Sequence, residues 1–224
     1  MQLPTLWAIP LIPSEHNDIE ILYMLRGLHL YHPEAEPLLI GHKPYWYKGR
    51  HLPYQHQTLG CKENKIRLKL LEAAKLTDQF VMANDDHFLL APFDGRNYAC
   101  ETLQYMDSHL FGGPYKNTIR NTADHIGWNA PYFDVHTPMI IGSQRFISLD
   151  RYDWSGRNTY LLKSLYAHGL EATPFKDVKY TQPFDASELK ELNKGRWIFS
   201  TGDELFAPMV RYLQSVYPVK SPWE

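Results

Sequence analysis

Asn84-Asp85-Asp86 follows directly on the apolar run Phe80-Val81-Met82-Ala83. Four residues that read as a buried strand thus deliver two carboxylates side by side at a strand end. Such a pair repels itself unless a positive charge sits between its members. A divalent cation carrying the phosphates of a bound donor meets that need. Mg²⁺ typically takes one or two protein carboxylates and completes its shell with waters and substrate phosphates. The other reading of the triplet is a turn, for which Asn and Asp are common formers. If the backbone stays extended, Asp85 and Asp86 point to different sides. A second group is His136, set in Tyr132-Phe133-Asp134-Val135-His136-Thr137-Pro138. A neutral imidazole there can complete a metal shell or accept a proton near neutral pH, with Asp134 as the alternative proton acceptor. Phosphates also need cations, and an arginine fork matches their oxygens. Arg50, Lys65 and Arg67, with Asn84 of the triplet, are the candidates for holding the donor.

Other chemistries are absent from the pattern. No His pair has the spacing of a zinc helix motif, and Cys61 and Cys100 are too far apart in sequence for a structural zinc site. There is no glycine-rich phosphate loop and no serine nucleophile elbow, which argues against a kinase or a Rossmann dehydrogenase. The net charge of −2 argues against a strong bulk attraction to nucleic acid. Two cysteines imply no disulfide framework and a reducing compartment. No apolar run has the length of a membrane span, and Met1-Gln2-Leu3-Pro4 lacks the regions of a signal peptide. The expected location is cytoplasmic.

The elements that must position these groups alternate. Leu6-Trp7-Ala8-Ile9 reads as a buried strand. Asn17 with Glu20 has the form of a capping box, opening a helix through Ile21, Leu25 and Leu28 that His32-Pro33 ends. Leu38-Leu39-Ile40 is a second strand, and 62–76 a second helix before the Phe80 strand. Short connections between strands and helices predict an α/β fold with a mainly parallel sheet flanked by helices. Further on, 158–168 is expected as a helix closed by Gly169, 186–193 as a short helix and Trp197-Ile198-Phe199 as a strand. Thr201 and Glu204 are expected as a capping pair before a last helix. Residues 43–60 form an aromatic and cationic loop. Its Lys43, Trp46, Tyr47, Lys48, Arg50 and Tyr54 could stack a base and contact phosphates, or serve as a donor-site lid or plain surface loop.

Four segments carry a family resemblance. Asn17 to Leu28, Phe80 to Phe88, Asp134 to Pro138, and the tail from Phe199 to Asp203 with Tyr217 to Glu224 are similar to the Stealth sugar-phosphate transferases. More broadly they resemble GT-A-type glycosyltransferases. The resemblance implies a single GT-A-like domain over 1–224, with a nucleotide- and metal-binding half (1–90) and an acceptor half (91–224). It implies that Asp85 and Asp86 hold Mg²⁺ or Mn²⁺, that His136 joins the metal or acceptor site, and that a nucleotide-sugar donor is used. Asp203 joins the donor contacts on the same ground. Residues 7–13 stand where the family has an acidic nucleotide-binding signature, and they lack its Asp, so the donor stays open. The compact length resembles phage-encoded enzymes that glycosylate hydroxymethylated DNA bases, in a bacterial or phage-infected cell. A polysaccharide is the other acceptor. A non-catalytic carbohydrate-binding protein of the same fold and a metal-dependent phosphodiesterase are the rival readings.

Overall fold

The computed structural model describes residues 3–13, 18–54, 61–110, 112–155, 159–202 and 206–224. Its centre is a five-stranded sheet in the order β3-β2-β1-β4-β7. These strands are β1 (Leu6–Leu11), β2 (Glu36–Gly41), β3 (Arg50–Leu52), β4 (Gln79–Met82) and, much later, β7 (Met139–Gly142). The first four run parallel, and β7 closes the β4 edge antiparallel. The fold is therefore the expected α/β class with a mainly parallel central sheet flanked by helices. Parallel strands are covered on both faces and read as continuous apolar runs. Leu6, Trp7, Ala8 and Ile9 are all buried, as are Leu38, Leu39 and Ile40. One face carries α1 (Ile19–Tyr31) and the other α2 (Lys62–Ala74).

Chain order places the crevice. From β1 the chain winds outward to β2 and β3, then returns to the other side of β1 for β4. Ligands in open α/β sheets bind outside the strand carboxyl ends at such a reversal. The strands separate there too. β1 pairs with β4 only through Trp7 and Ala8, while its pairing with β2 continues to Leu11. Pro10, which has no N–H to give a ladder, falls beyond the β4 pairing.

The remaining strands are β5 (Phe88–Leu89), β6 (Tyr98–Ala99), β8 (Thr173–Pro174), β9 (Lys179–Tyr180) and β10 (Ile198–Thr201). β5, β10 and β9 form a second sheet, and β6 pairs with β8. The other helices are α3 (Leu103–His109), α4 (Pro114–Ile126), α5 (Ser143–Ile147), α6 (Leu162–Ala167), α7 (Ala186–Leu192) and α8 (Ala207–Val216). Among the described residues no helix is long and apolar enough to cross a membrane.

Several local expectations are corrected. Asn17 and Glu204 lie outside the described residues. The two expected capping pairs therefore lie partly outside the described residues; of their other members, Thr201 Oγ1 donates to Glu20 Oε1 at 2.7 Å. Asp18 precedes α1 with φ 59° and no side-chain cap, and α8 starts after Phe206 with Pro208 in its first turn. The helix expected from 158 starts only at Leu162. The capping box lies instead at Asp185 and Glu188, before α7.

Candidate active site

Asp85 and Asp86 occupy a turn, so the extended alternative does not hold. The His87 backbone N–H donates to the Asn84 carbonyl at 3.3 Å, and the Asn84 N–H donates to His87 Nδ1 at 3.3 Å. The turn joins β4 to β5 at the carboxyl edge of the sheet, and it puts the two carboxylates close enough to feel each other. Burial, then the charges of Asp86 and Glu20, push the Asp85 carboxyl up to about 7. Burial also raises Asp86, against the opposing pull of His136, Lys179 and Lys62. Asp86 Oδ1 is buried and has no hydrogen-bond partner, and the same is true of His87 Nε2. A buried, unpartnered carboxylate oxygen is costly unless a bound group answers it.

His136 approaches from the loop before β7 and is held by Asp177, a residue that no sequence motif marks. Its Nδ1 lies 2.7 Å from Asp177 Oδ2, and its backbone N–H donates to Asp177 Oδ1 at 3.1 Å. Lys163 anchors the same loop, with Nζ donating to the carbonyls of Val135 (2.6 Å) and Thr137 (2.7 Å). Burial lowers the Lys163 ammonium, while the charges of Asp134, Asp177 and Asp86 act to retain its proton. The electrostatics thus join Asp86, His136, Asp177, Lys163 and Lys179 in one cluster. Lys62, in the first turn of α2, faces both acids of the turn.

On the β1–β2 side, Lys69 is buried and donates from Nζ to the Leu11 carbonyl at 2.6 Å. Burial lowers its ammonium and the charge of Asp85 raises it. Gly41 makes room for it: at φ +112° a Cβ would stand 2.5 Å from the Leu11 carbonyl oxygen and 2.8 Å from Lys69 Nζ. Next to it, His42 Nε2 lies 3.1 Å from Asp18 Oδ2, and Asp18 Oδ1 is buried without a partner.

The remaining sequence candidates are placed elsewhere. Asp134 is engaged as the cap of α6. It accepts from the N–H of Lys163 (3.2 Å), the N–H of Ser164 (2.9 Å) and Ser164 Oγ (2.6 Å). Arg50 begins β3 and pairs with Glu36 at the start of β2, which is the amino end of the sheet, opposite the crevice. Arg67 turns to another face of α2. Its Nε donates to Asn64 Oδ1 at 3.0 Å, its guanidinium lies 5.0 Å from the Trp154 ring centroid, and it pairs with Asp150. Lys65 is close enough to Lys69 to depress its ammonium. Asp203 lies outside the described residues.

The aromatic, cationic loop is also largely committed internally. Tyr47 is buried and donates to the Pro37 carbonyl at 2.8 Å, and Trp46 packs edge-on against it. Lys48 reaches the Glu224 carbonyl. Tyr45, 97% exposed, is the large aromatic of this loop left open to solvent.

Among the described residues, no group of three His, Cys, Asp or Glu comes together as a metal cage. Asp85, Asp86 and His136 therefore do not form a three-ligand cage. The two adjacent acids with an orphaned oxygen still fit an ion of the Mg²⁺ kind, which keeps most of its shell for water and phosphate. Asp177 also borders a cavity of about 800 Å³ walled by Cys100, Thr102, Pro131 and Phe175.

No protein-family model and no curated protein sequence matches the chain. Solved structures similar to it include an active-site mutant of LgtC (TM-score 0.43, 10% identity, covering 92% of this chain and 81% of that one). The galactosyltransferase LgtC in complex with donor and acceptor sugar analogs gives a TM-score of 0.41 at 10% identity and the same coverage. The glycosyltransferase GlyE of Streptococcus pneumoniae TIGR4 gives 0.35 at 8% identity, covering 98% of this chain and 45% of that one. At these scores the function of the chain has to be read from its strand order and the side chains of its crevice.

Proposed function

We propose that the chain is a metal-dependent glycosyltransferase of GT-A type, moving a sugar or sugar phosphate from a nucleotide-sugar donor to an acceptor hydroxyl. The observation that carries this reading is the acid pair Asp85–Asp86. It sits on a turn at the strand-order reversal, with a buried, unanswered oxygen and a ring of cations around it. Asp85 and Asp86 would hold Mg²⁺ or Mn²⁺, with His136 as the neighbouring imidazole. When bound, the ion would supply charge neutralisation for the leaving nucleotide, a diphosphate if sugar is moved and a monophosphate if sugar phosphate is moved. Lys62 and Lys179 place positive charge beside that position and would bind the donor phosphates. His136 would take the acceptor proton at Nε2, since Nδ1 is occupied by Asp177. The cavity beside Asp177 is the space in which a saccharide acceptor would lie. A DNA-base acceptor has less support, because Tyr47 and Lys48 of the loop that would have stacked a base are committed to the core and the tail, leaving Tyr45 exposed.

The test is donor consumption and product mass across a panel of nucleotide sugars, with Mn²⁺ or with EDTA. Wild type should turn over only with metal, and Asp86→Ala should lose on the order of 100-fold in rate, the scale of removing a charge-stabilising group. Metal-dependent turnover unchanged in Asp86→Ala would overturn the assignment. Donor consumption that never labels an acceptor points to a phosphodiesterase.

A further inference from the structure

Asp177 engages His136 with both carboxylate oxygens. Oδ1 accepts the backbone N–H of His136 at 3.1 Å and that of Val178 at 3.0 Å, while Oδ2 faces the imidazole Nδ1 at 2.7 Å. Two main-chain donors on one oxygen fix the roll of the carboxylate, so the other oxygen has one place to be. Two main-chain N–H groups donating to one oxygen favour the ionised form of the Asp177 carboxylate. An ionised carboxylate only accepts hydrogen bonds, so the ring hydrogen must sit on Nδ1.

We propose that Asp177 is the positioning residue of this site: it locks His136 as the Nδ1–H tautomer and leaves the lone pair on Nε2. The assignment rests on the glycosyltransferase reading only for its consequence. Accepting an acceptor proton and ligating a cation both require an unprotonated Nε2, and a carboxylate hydrogen-bonded to the other ring nitrogen commonly sets the tautomer of a working histidine in this way.

Asp177→Asn discriminates this from a merely structural contact. The carboxamide oxygen keeps the two backbone N–H groups, and its NH₂ takes the place of Oδ2, where it can only donate. Nδ1 must then accept, and the ring proton moves to Nε2. In ring-¹⁵N-labelled, metal-free protein at pH 8, with the resonance assigned by comparison with His136→Gln, wild type should show Nδ1–H and the variant Nε2–H. Transfer by the variant should fall about 10–100-fold in kcat, the usual cost of losing an outer-shell partner, with KM for the donor little changed. A wild-type spectrum with Nε2–H overturns the proposal, and so does a folded Asp177→Asn that keeps the wild-type tautomer or kcat. If the variant does not fold, the wild-type spectrum alone decides. If wild type transfers no sugar at all, the functional reading fails while the tautomer result still stands or falls by itself.

Discussion

Asp85 keeps its proton up to about pH 7 in the folded chain, whereas an ordinary aspartate releases it near 3.8. Between those values the folded state binds more protons than the unfolded one. The stability of the metal-free protein should therefore fall as pH rises through that window and level off above it. Asp85→Asn removes this contribution to the slope. In EDTA at pH 8 it should exceed wild type by about 1–3 kcal/mol, the energy of a shift of this size discounted for partial solvent access. Urea midpoints at pH 5 and pH 8 for both proteins check this. Mg²⁺ should restore wild type and leave the variant largely unmoved. A variant with the wild-type pH slope, or one that gains equally from Mg²⁺, would show that Asp85 does not carry the strain of the pair.

Among the elements, α6 shows how a residue that looks chemical can be structural. Asp134 answers two N–H groups at the start of a six-residue helix, and a helix that short has little stability of its own. Asp134→Ala should cost on the order of 2 kcal/mol, the value of charge-assisted caps, in equilibrium denaturation. Because Lys163 rides on the same helix and grips the 135–137 loop, the loss should also loosen that loop, read as faster amide exchange at Val135–Thr137. Full stability in Asp134→Ala would mean that α6 is held by its packing alone.

Across the whole fold, residues 217–224 tie back onto α1 and β5. Arg26 on α1 forks onto Glu224, with Nε–Oε1 at 2.9 Å and Nη2–Oε2 at 2.8 Å, and both side chains are largely buried. Tyr217 passes over Gly27, where a Cβ would meet its ring at 3.0 Å, and donates to the Leu89 carbonyl at 2.5 Å. Burial would raise the Glu224 carboxyl, but Arg26 and the Ser221 N–H hold it below its usual value. Its contribution is present above the ordinary glutamate range and is lost as pH falls through the depressed value. Arg26→Ala strands a buried carboxylate and should cost about 3 kcal/mol. Arg26→Lys should rescue only part of this, since one ammonium cannot replace the fork. Thermal or urea unfolding of the two variants tests the staple, and equal stability of Arg26→Lys and wild type would remove the case for a bidentate tie.

Local rules of the chain were enough for the strands β1, β2 and β4, the helices α1 and α2, and the arrival of two acids at a strand end. Apolar runs demand burial, and a proline ends a helix. His136 was singled out by the family resemblance rather than by any local rule. The turn at Asp85 and Asp86 was one of two local readings of the triplet, which the structure decides; Asp177 and Lys179, and the buried Lys163 and Lys69, were not legible in this way. No local pattern links residue 136 to 177, or 69 to 11; the sheet order and the return of β10 and β9 beside β5 make them neighbours. The same holds for the candidates placed elsewhere. Arg50 and Arg67 have the right chemistry for phosphate, but strand direction sends one to the far end of the sheet and helical phase turns the other to another face. Composition fixes which charges a chain owns, and only tertiary packing fixes which of them share a crevice and how far burial shifts their protons.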